Sequence, residues 1–578
     1  MKAPSPVLLA TTDPGFTITS NGAALPSTYQ IVAIDVWRGV NKLPKARIVI
    51  SDGSAAEEDF PISDRPELIP GAQIRISMGY GGSETTVFSG VIHRHGLQTT
   101  VNGPSRLIVE ATDKAMAMTL ARQNAVFQNI TDSQLCQQLI INAGLTAVVT
   151  ATETVHPVIV QYYATAWDTM LLRAQASGMV VTVDNGTVTV APPSTSGSPV
   201  LTLTYGESIL NFRGEMDATT QFAASAIKSF AWDPATQALA QSSEAQARVT
   251  TPGNITSAQL AQVFNIASYL QQSAGQLQAA ELTQWSSAEL LKSHLAKIRG
   301  EVWFQGSALV IPDCMVTLAG LGDRFNGNGY VSGVHHRLAD GLWRTSVEIG
   351  LSPDWFAETT PTVSAPEASG QLPPANNLQT GIVHQIAQDP GGEFRVLVTL
   401  PLLQAAGGTG VWARLGGFYA SNKVGAFFYP EVGDEVVVAF LSGDPRYPVV
   451  IGSLYSQKNS PPFTPEAANN VKSIVSRANL HLDFLEDTTT VQLLTPGNQR
   501  VALNDQAKTV TITDMHGNSI TLGGSGIAIK SASDITIQAS GSITMTAQNG
   551  LTAAGTASAK LTSSGVVQVV GATVELNP

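Results

Sequence analysis

The sequence predicts a mainly β protein with α+β insertions, and three observations lead to that fold class. Charged residues make up only 13% of the 578 residues, about half of the ~25% found in an average soluble protein. Short apolar alternations separated by glycine-containing turns recur along the chain, whereas long runs with helical periodicity are few. A third observation is an internal repeat before residue 340, together with a regular series of apolar pairs at the C-terminal end.

The composition also excludes several classes of function. The net charge of −12 disfavours binding of nucleic acid through a broad basic surface. Cys136 and Cys314 are the two cysteines, too few for a disulfide scaffold or a cysteine-only zinc site. No run approaches the ~18 apolar residues of a membrane-spanning helix, and Val7 to Ala10 is too short for the core of a signal peptide. We therefore expect a protein that starts in the cytoplasm without a Sec-type signal.

A first β domain is predicted over residues 1–112. The runs Lys45 to Ile50 and Gln73 to Ser77 alternate between apolar and polar residues. Turn residues punctuate the runs, as at Asp52-Gly53 and Gly81-Gly82. This pattern is typical of an antiparallel sheet or barrel.

An α+β insertion is predicted over residues 113–200. Thr131 is placed to cap a helix that extends from Gln134 to Ala143. A second helix is expected from Trp167 to Ala176, where large apolar residues have helical spacing. Asp184-Asn185-Gly186 lies between two apolar runs, which is a hairpin signal.

Residues 201–356 are predicted to form a helical segment followed by a second β domain. The stretch from Thr251 to Arg299 is expected to be mainly helical, with a break near Gly275.

An internal repeat relates the two β domains. Ile69-Pro70 precedes Ser89-Gly90-Val91, and Ile311-Pro312 precedes Ser332-Gly333-Val334 at a spacing that is longer by a single position. Because both ends of the motif keep their register, the sequence predicts two related β-barrels with the helical material inserted between them.

A linker and a small barrel follow. Residues 357–378 are rich in Pro, Thr, Ser and Ala, as linkers are. Residues 379–456 contain short strand-like runs with frequent turns, which suits a five-stranded OB-fold barrel. The predicted strands are Arg395 to Leu400, Val424 to Phe428, Glu435 to Phe440 and Val449 to Leu454. Residues 457–490 are expected to be a connector.

The tail, residues 491–578, carries apolar pairs with i, i+2 spacing. From Ile527 to Val567 the pairs recur every eight residues, with small and polar residues between them. The predicted inward residues of this region are Ile527, Ile529, Ile535, Ile537, Ile543, Met545, Leu551, Leu561, Val567, Val569, Val574 and Leu576.

The eight-residue spacing predicts a trimeric, intertwined β-helix. Each repeat supplies one short strand with only two inward residues, so a single chain buries little. Three copies wound around one axis would bury every pair and remove the open strand edges. A single-chain solenoid and a flexible Ser/Thr-rich tail are the alternatives, and the regular register argues against the flexible tail.

The small barrel resembles a known family. Its ordered motifs are Gly381-Ile382-Val383, Asp389-Pro390, Arg395 to Val398, Trp412-Ala413-Arg414, Phe428 to Phe440 and Gly443 to Tyr455. They are similar to the OB-fold domain of VgrG-type spike proteins of contractile injection systems and phage-like tails. The paired β domains are similar in plan to the hub of those spikes, and the tail to their needle. The resemblance therefore covers nearly the whole chain.

The resemblance implies a homotrimeric central spike. The hub, with two barrels per chain, would give the pseudo-sixfold symmetry that joins a tail-tube protein, next to baseplate proteins. The needle would puncture the target-cell membrane when the sheath contracts. The chain stops at Pro578, directly after the last pair, so a separate PAAR-type tip protein is expected there. We expect assembly in the cytoplasm into an injection particle that is later released or fired. A spike that also delivers effector cargo through its hub lumen stays open as a second alternative. The type of contractile system stays open.

No catalytic, cofactor-binding or metal-binding residues are predicted, and the protein is not expected to be an enzyme. His93 and His95 would share a strand face, but their spacing is not kept at His335-His336 in the repeat. A trimer would gather copies of His481 or His516, but His516 lies beside the turn residues Gly517-Asn518. The acids near Gly433 and Gly443 suit turns better than catalysis. Cys136 is expected to be a buried thiol rather than a nucleophile.

The rival hypothesis is a carbohydrate-binding or carbohydrate-cleaving tail spike. A glycan groove on the needle would need aromatic residues and paired acids. Residues 491–578 contain no Trp, Tyr or Phe, and their acids are sparse, which speaks against this alternative.

Overall fold

The computed structural model describes residues 3–7, 13–101, 103–404, 407 and 410–576. The chain divides into two compact units, residues 1–374 and 375–578, called unit 1 and unit 2 below. Most of the short apolar run from Val7 to Ala10 and the C-terminal Asn577-Pro578 lie outside the described residues. Among the described residues, no helix is both long and apolar enough to cross a membrane.

Unit 1 consists mainly of strands. Its elements are β1 (Pro14–Ser20), β2 (Ala23–Ala24), β3 (Ile31–Gly39), β4 (Lys42–Ser51), β5 (Gln73–Tyr80), β6 (Ser83–Thr100), β7 (Gly103–Thr112), β8 (Arg122–Thr131), α1 (Asp132–Asn142), β9 (Thr146–Val149), β10 (Val155–Thr165), α2 (Ala166–Ala176), β11 (Val180–Asp184), β12 (Thr187–Ala191), β13 (Thr202–Thr204), β14 (Ile209–Met216), β15 (Ile227–Asp233), β16 (Ala238–Gln241), α3 (Ser257–Phe264), β17 (Tyr269–Ser273), α4 (Ala279–Leu295), β18 (Ile298–Gln305), β19 (Cys314–Ala319), β20 (Gly327–Ala339), β21 (Leu342–Ile349) and α5 (Phe356–Thr359).

The internal repeat corresponds to two copies of one strand arrangement. The first copy has the order β3-β4-β7-β6-β5, and the second has the order β14-β18-β21-β20-β19. Antiparallel pairing of β3 with β20 joins the copies into one 13-stranded sheet. Each copy has its own hydrophobic core, around Ile48 and Ile76 in the first and around Val302 and Val347 in the second. Two related β domains therefore share a single sheet.

The repeated glycines Gly90 and Gly333 lie at close approaches of very different stiffness. A Cβ at Gly90 would lie 2.4 Å from the Thr112 carbonyl oxygen, whereas at Gly333 it would lie 2.6 Å from the Oε2 atom of Glu348. The backbone carbonyl cannot move without disturbing the β6–β7 ladder, while the Glu348 carboxylate is the end of a flexible, exposed side chain.

We expect Gly90→Ala to lower the free energy of unfolding by about 2 kcal/mol, the cost of overpacking a tight site. Gly333→Ala, the matched control at the repeated position, should change it by less than about 0.5 kcal/mol. Thermal melting of both variants checks the difference, and equal losses would contradict the geometric explanation.

The insertion between the copies contains the two predicted helices. α1 begins with a capping box in which Thr131 accepts from the Gln134 backbone amide and the Gln134 side chain accepts from the Thr131 amide. α2 begins one residue before the predicted start. The predicted hairpin is formed by β11 and β12, where Asn185 and Gly186 adopt positive φ.

The stretch from Thr251 to Arg299 is less helical than predicted. α3 and α4 are separated by strand β17, which pairs in parallel with β15. Tyr269 within β17 packs against Phe222, so tertiary pairing overrides the local pattern here. The predicted linker begins with α5, where Phe356 packs against the core of the insertion.

Unit 2 contains the small barrel and a long meander. Its elements are β22 (Gln379–Gln385), β23 (Val396–Thr399), α6 (Pro401–Gln404), β24 (Val411–Leu415), β25 (Ala420–Ser421), β26 (Val424–Gly425), β27 (Glu435–Phe440), β28 (Pro448–Leu454), β29 (Val471–Val475), β30 (His481–Leu485), β31 (Thr490–Leu494), β32 (Arg500–Asn504), β33 (Thr509–Thr513), β34 (Ser519–Gly523) and β35 (Gly526–Lys530).

The barrel has five strands, which is the predicted number. They close in the order β22-β23-β24-β28-β27 around Val383, Val398 and Val436. The predicted strand from Val424 to Phe428 is wrong, because only Val424–Gly425 is extended and paired, in a short ribbon with β25 outside the barrel.

In the single chain, the tail forms strands only in its first part. The connector, residues 457–490, contains β29 and β30, and from β29 to Lys530 the single chain forms a seven-stranded antiparallel meander. In addition, no strand is present in a single chain over residues 531–576. A short strand with a two-residue apolar face gains too little burial to form alone.

Candidate functional site

The meander gathers the apolar pairs of its strands into two straight columns on one face. Directly opposed residues of an antiparallel sheet share a face, and the register aligns pair with pair along β29–β35. One column contains Phe484, Val491, Leu503, Val510, Leu522 and Ile527, and the other contains Ile474, Leu482, Leu493, Val501, Ile512, Ile520 and Ile529. We call these residues the apolar columns.

The apolar columns are uncovered in a single chain. All their members except Leu482 and Val501 are exposed, from 37% at Val510 to 72% at Ile527. Seven strands at ~4.8 Å spacing make this face about 29 Å long. A continuous apolar face of this length marks an interaction surface rather than a set of isolated surface residues.

The opposite face of the meander is small and polar. Its central residues include Ser473, Asp483, Gln492, Ala502 and Thr511. Asp483 is buried and accepts hydrogen bonds from Ser473, from Gln492 at 2.8 Å and from His481 at 3.3 Å. Burial alone would raise the pKa of Asp483, but these hydrogen bonds outweigh it and lower the pKa.

The structure divides the predicted needle residues into two groups. Ile527 and Ile529 lie on β35 at the end of the apolar columns. The others lie in the segment without strands and are exposed, between 49% and 88%: Ile535, Ile537, Ile543, Met545, Leu551, Leu561, Val567, Val569, Val574 and Leu576. The single chain therefore does not bring the second group together.

The other candidate residues have ordinary structural partners. His95 contacts Ser63 Oγ at 2.8 Å and the Leu68 carbonyl oxygen at 2.9 Å. His481 contacts Asn479 and Asp483. Over the described part of the chain, no group of three or more His, Cys, Asp or Glu side chains is placed to hold a metal ion.

Two further candidates are also accounted for by structure. Cys136 is buried on α1, as predicted, and burial raises the pKa of its thiol to about 12. Asp444 forms an ion pair with Arg446 at 2.6 Å, consistent with a role in the turn.

A buried charge cluster in unit 1 was not predicted. Asp132 Oδ1 lies 2.6 Å from Arg173 Nε, and Asp132 Oδ2 lies 3.2 Å from His156 Nε2 and 2.7 Å from Ser177 Oγ. The His156 Nδ1 atom lies 2.7 Å from Glu281 Oε1. These residues come from α1, α2, β10 and α4, so the cluster ties the insertion to the helical segment. The residues are distant in sequence, and no local sequence motif predicts that they come together.

The cluster has strongly shifted pKa values. Hydrogen bonds with Asp132 and Glu281 raise the pKa of His156 to about 9 against the opposing effect of burial. Burial would raise the pKa of Asp132, but hydrogen bonds from His156, Arg173 and Ser177 lower it to about 2. The cluster is therefore an ion-pair network that links the insertion to α4 within unit 1.

Two family models match the chain. The model described as the Alg8 N-terminal domain matches residues 11–340, more than half of the chain. The model described as the type VI secretion system/phage-baseplate injector OB domain matches residues 379–455, which include all five barrel strands.

Two relatives are similar to short parts of this chain. The type VI secretion system spike protein VgrG5 of Pseudomonas aeruginosa is 32% identical over 119 residues, which are 20% of this chain and 14% of that protein. The actin cross-linking toxin VgrG1 of Vibrio cholerae is 40% identical over 53 residues, 9% of this chain and 5% of that protein. These matches thus span less than a sixth of each relative.

Among solved structures, the 43 kDa tail protein of prophage MuSo2 from Shewanella oneidensis is similar. It has 12% identity and a TM-score of 0.43, over 59% of this chain and 98% of that protein.

Proposed function

We propose that this chain, which belongs to the Alg8 N-terminal domain family and matches the type VI secretion system/phage-baseplate injector OB domain over residues 379–455, serves as the homotrimeric central spike of a contractile injection system. In this role unit 1 is the hub that joins the tail-tube protein and the baseplate. Along the chain, the OB barrel follows the hub and precedes the needle, and the C-terminal region carries a PAAR-type tip. The needle then punctures the target membrane when the sheath contracts.

The main support for the proposed trimer is the pair of apolar columns. They are exposed along about 29 Å of meander, and the apolar pairs beyond Lys530 are exposed as well. Each buried Val, Leu or Ile side chain contributes roughly 1.5–3 kcal/mol relative to an exposed one. Further copies of the same chain have the same two-residue apolar face at the same spacing along the axis. Three copies can therefore bury one another's apolar pairs along the whole region.

The proposed mechanism is mechanical and involves no covalent step. In a closed prism every strand is paired, which makes the needle stiff and leaves no open edge. Sheath contraction acts on the hub, and the needle concentrates the force on a small area of membrane. Assembly takes place in the cytoplasm, and the particle is then released or fired.

Light scattering of the full-length chain after size exclusion tests the trimer. We expect a mass three times that of the 60.6 kDa chain, which persists on dilution because many apolar side chains are buried together. A stable monomer near 60.6 kDa would overturn the homotrimer.

A further inference from the structure

A second exposed apolar feature of unit 2 lies outside the apolar columns. Residues 416–432, here called the aromatic ribbon, leave the barrel after β24 and return before β27. Six large apolar side chains in this short stretch are more than half exposed: Phe418, Tyr419, Val424, Phe427, Phe428 and Val432. Phe418 and Phe427 are the extremes, at 87% and 85% exposure.

The aromatic ribbon has a defined backbone. Ala420 pairs with Gly425, Ser421 pairs with Val424, and the Ala426 amide donates to the Tyr419 carbonyl oxygen at 2.9 Å. A Cβ at Gly425 would lie 2.7 Å from that same oxygen, and Gly425 has a φ of +148°, so the two arms approach as closely as glycine permits. Rigid aromatic side chains on a preformed ribbon bind at low entropic cost.

The base of the aromatic ribbon adjoins the meander. Glu431 forms an ion pair with Arg477, which follows β29, at 2.6 Å. The Asn459 side chain, which lies in the chain between barrel and meander, donates to the Gly433 carbonyl oxygen at 3.4 Å. A trimer held together by the apolar columns would therefore gather three barrels, with their ribbons, around the same axis.

We propose that the aromatic ribbon of each copy docks on the OB barrel of a neighbouring copy in the trimer. This inference rests on the proposed homotrimer. Lys423 is the single charged residue between Gly416 and Pro430, so the ribbon suits an apolar subunit interface. Contacts of ribbon to barrel, repeated around a threefold axis, close into a ring and leave no ribbon uncovered.

Photocrosslinking of the purified full-length protein tests this contact. A photoreactive benzoyl-phenylalanine at position 427, and separately at position 418, should give covalent dimers and trimers on a denaturing gel. The crosslinked peptides should map to residues 379–455 of a second copy. Because both side chains are exposed in the single chain, the replacement leaves folding intact. The same group at position 402, where exposed Leu402 lies in α6 of the same domain, is the control and should give no such bands.

The outcomes separate this inference from the proposed function. A trimer by light scattering without interchain bands from positions 418 and 427 overturns the ribbon contact and leaves the spike intact. Equal bands from position 402, or bands that appear only when another protein is added, also overturn it. A monomer by light scattering overturns the homotrimer and, with it, the ribbon contact.

Discussion

Val510→Asp combined with Ile512→Asp should convert the proposed trimer to a monomer of 60.6 kDa. The two residues lie on β33, one in each of the apolar columns. In the proposed trimer, three copies would place all of these introduced carboxylates within one apolar layer. An unpaired charge in such a layer costs several kcal/mol. In a single chain both side chains are exposed, where substitutions usually change stability by less than ~0.5 kcal/mol.

The double variant is informative because the two aspartates would be buried in the proposed trimer but exposed in a single chain. Light scattering after size exclusion measures the mass, and circular dichroism checks that the monomer remains folded. Thr511→Asp is the matched control, since Thr511 lies on the same strand but faces the other side of the sheet. A trimer that tolerates both aspartates would mean that the columns face solvent in the assembly.

The apolar columns illustrate how far the sequence leads. Spacing of i, i+2 identified the side chains that share a face, because strand periodicity is local and needs no partner. Spacing could not distinguish an antiparallel meander from an intertwined β-helix, since both present two apolar residues per strand. The difference lies in the turns, and the start at β29 was hidden because Lys472 stands where the other strands carry an apolar residue of the pair.

Unit 1 illustrates the same limit for residues that are far apart in the chain. The repeated motifs around Gly90 and Gly333 predicted two related β domains, and the strand orders agree. Strand β17 was missed because its short run, Tyr269–Ser273, is stabilised by parallel pairing with β15, which lies well before it in the chain. The buried charge cluster was missed for a related reason: Asp132, His156, Arg173 and Glu281 come together only through tertiary packing.

The buried charge cluster leads to the second large effect. Asp132→Ala should destabilise unit 1 by about 3 kcal/mol or more, because it leaves Arg173 and the protonated His156 without their shared buried partner. A loss of this size lowers the melting temperature by several degrees. Tryptophan fluorescence follows the transition well, since seven of the eight tryptophans lie in unit 1 and only Trp412 lies in unit 2. The trimer mass should not change.

Matched variants and pH test the charge explanation. Glu110→Ala removes the partner of Arg94 in an exposed pair at 2.9 Å and should cost less than about 1 kcal/mol.

The pKa of His156 is raised to about 9 in the folded chain, from ~6.5 when unfolded. Its contribution is therefore complete below pH ~6.5 and is lost as the pH rises toward 9. The pKa of Asp132 is lowered to about 2, from ~3.9 when unfolded, so its contribution is complete above pH ~3.9 and is lost toward pH 2.

The two contributions overlap between pH ~4 and ~6.5, where the cluster should be strongest. His156→Gln removes the alkaline titration while retaining hydrogen-bonding groups. We expect the melting temperature of this variant to fall less between pH 6.5 and 9 than that of the unmodified chain. Parallel declines in the two proteins would show that the histidine charge does not hold the insertion to α4, and the cluster would then stabilise unit 1 through packing alone.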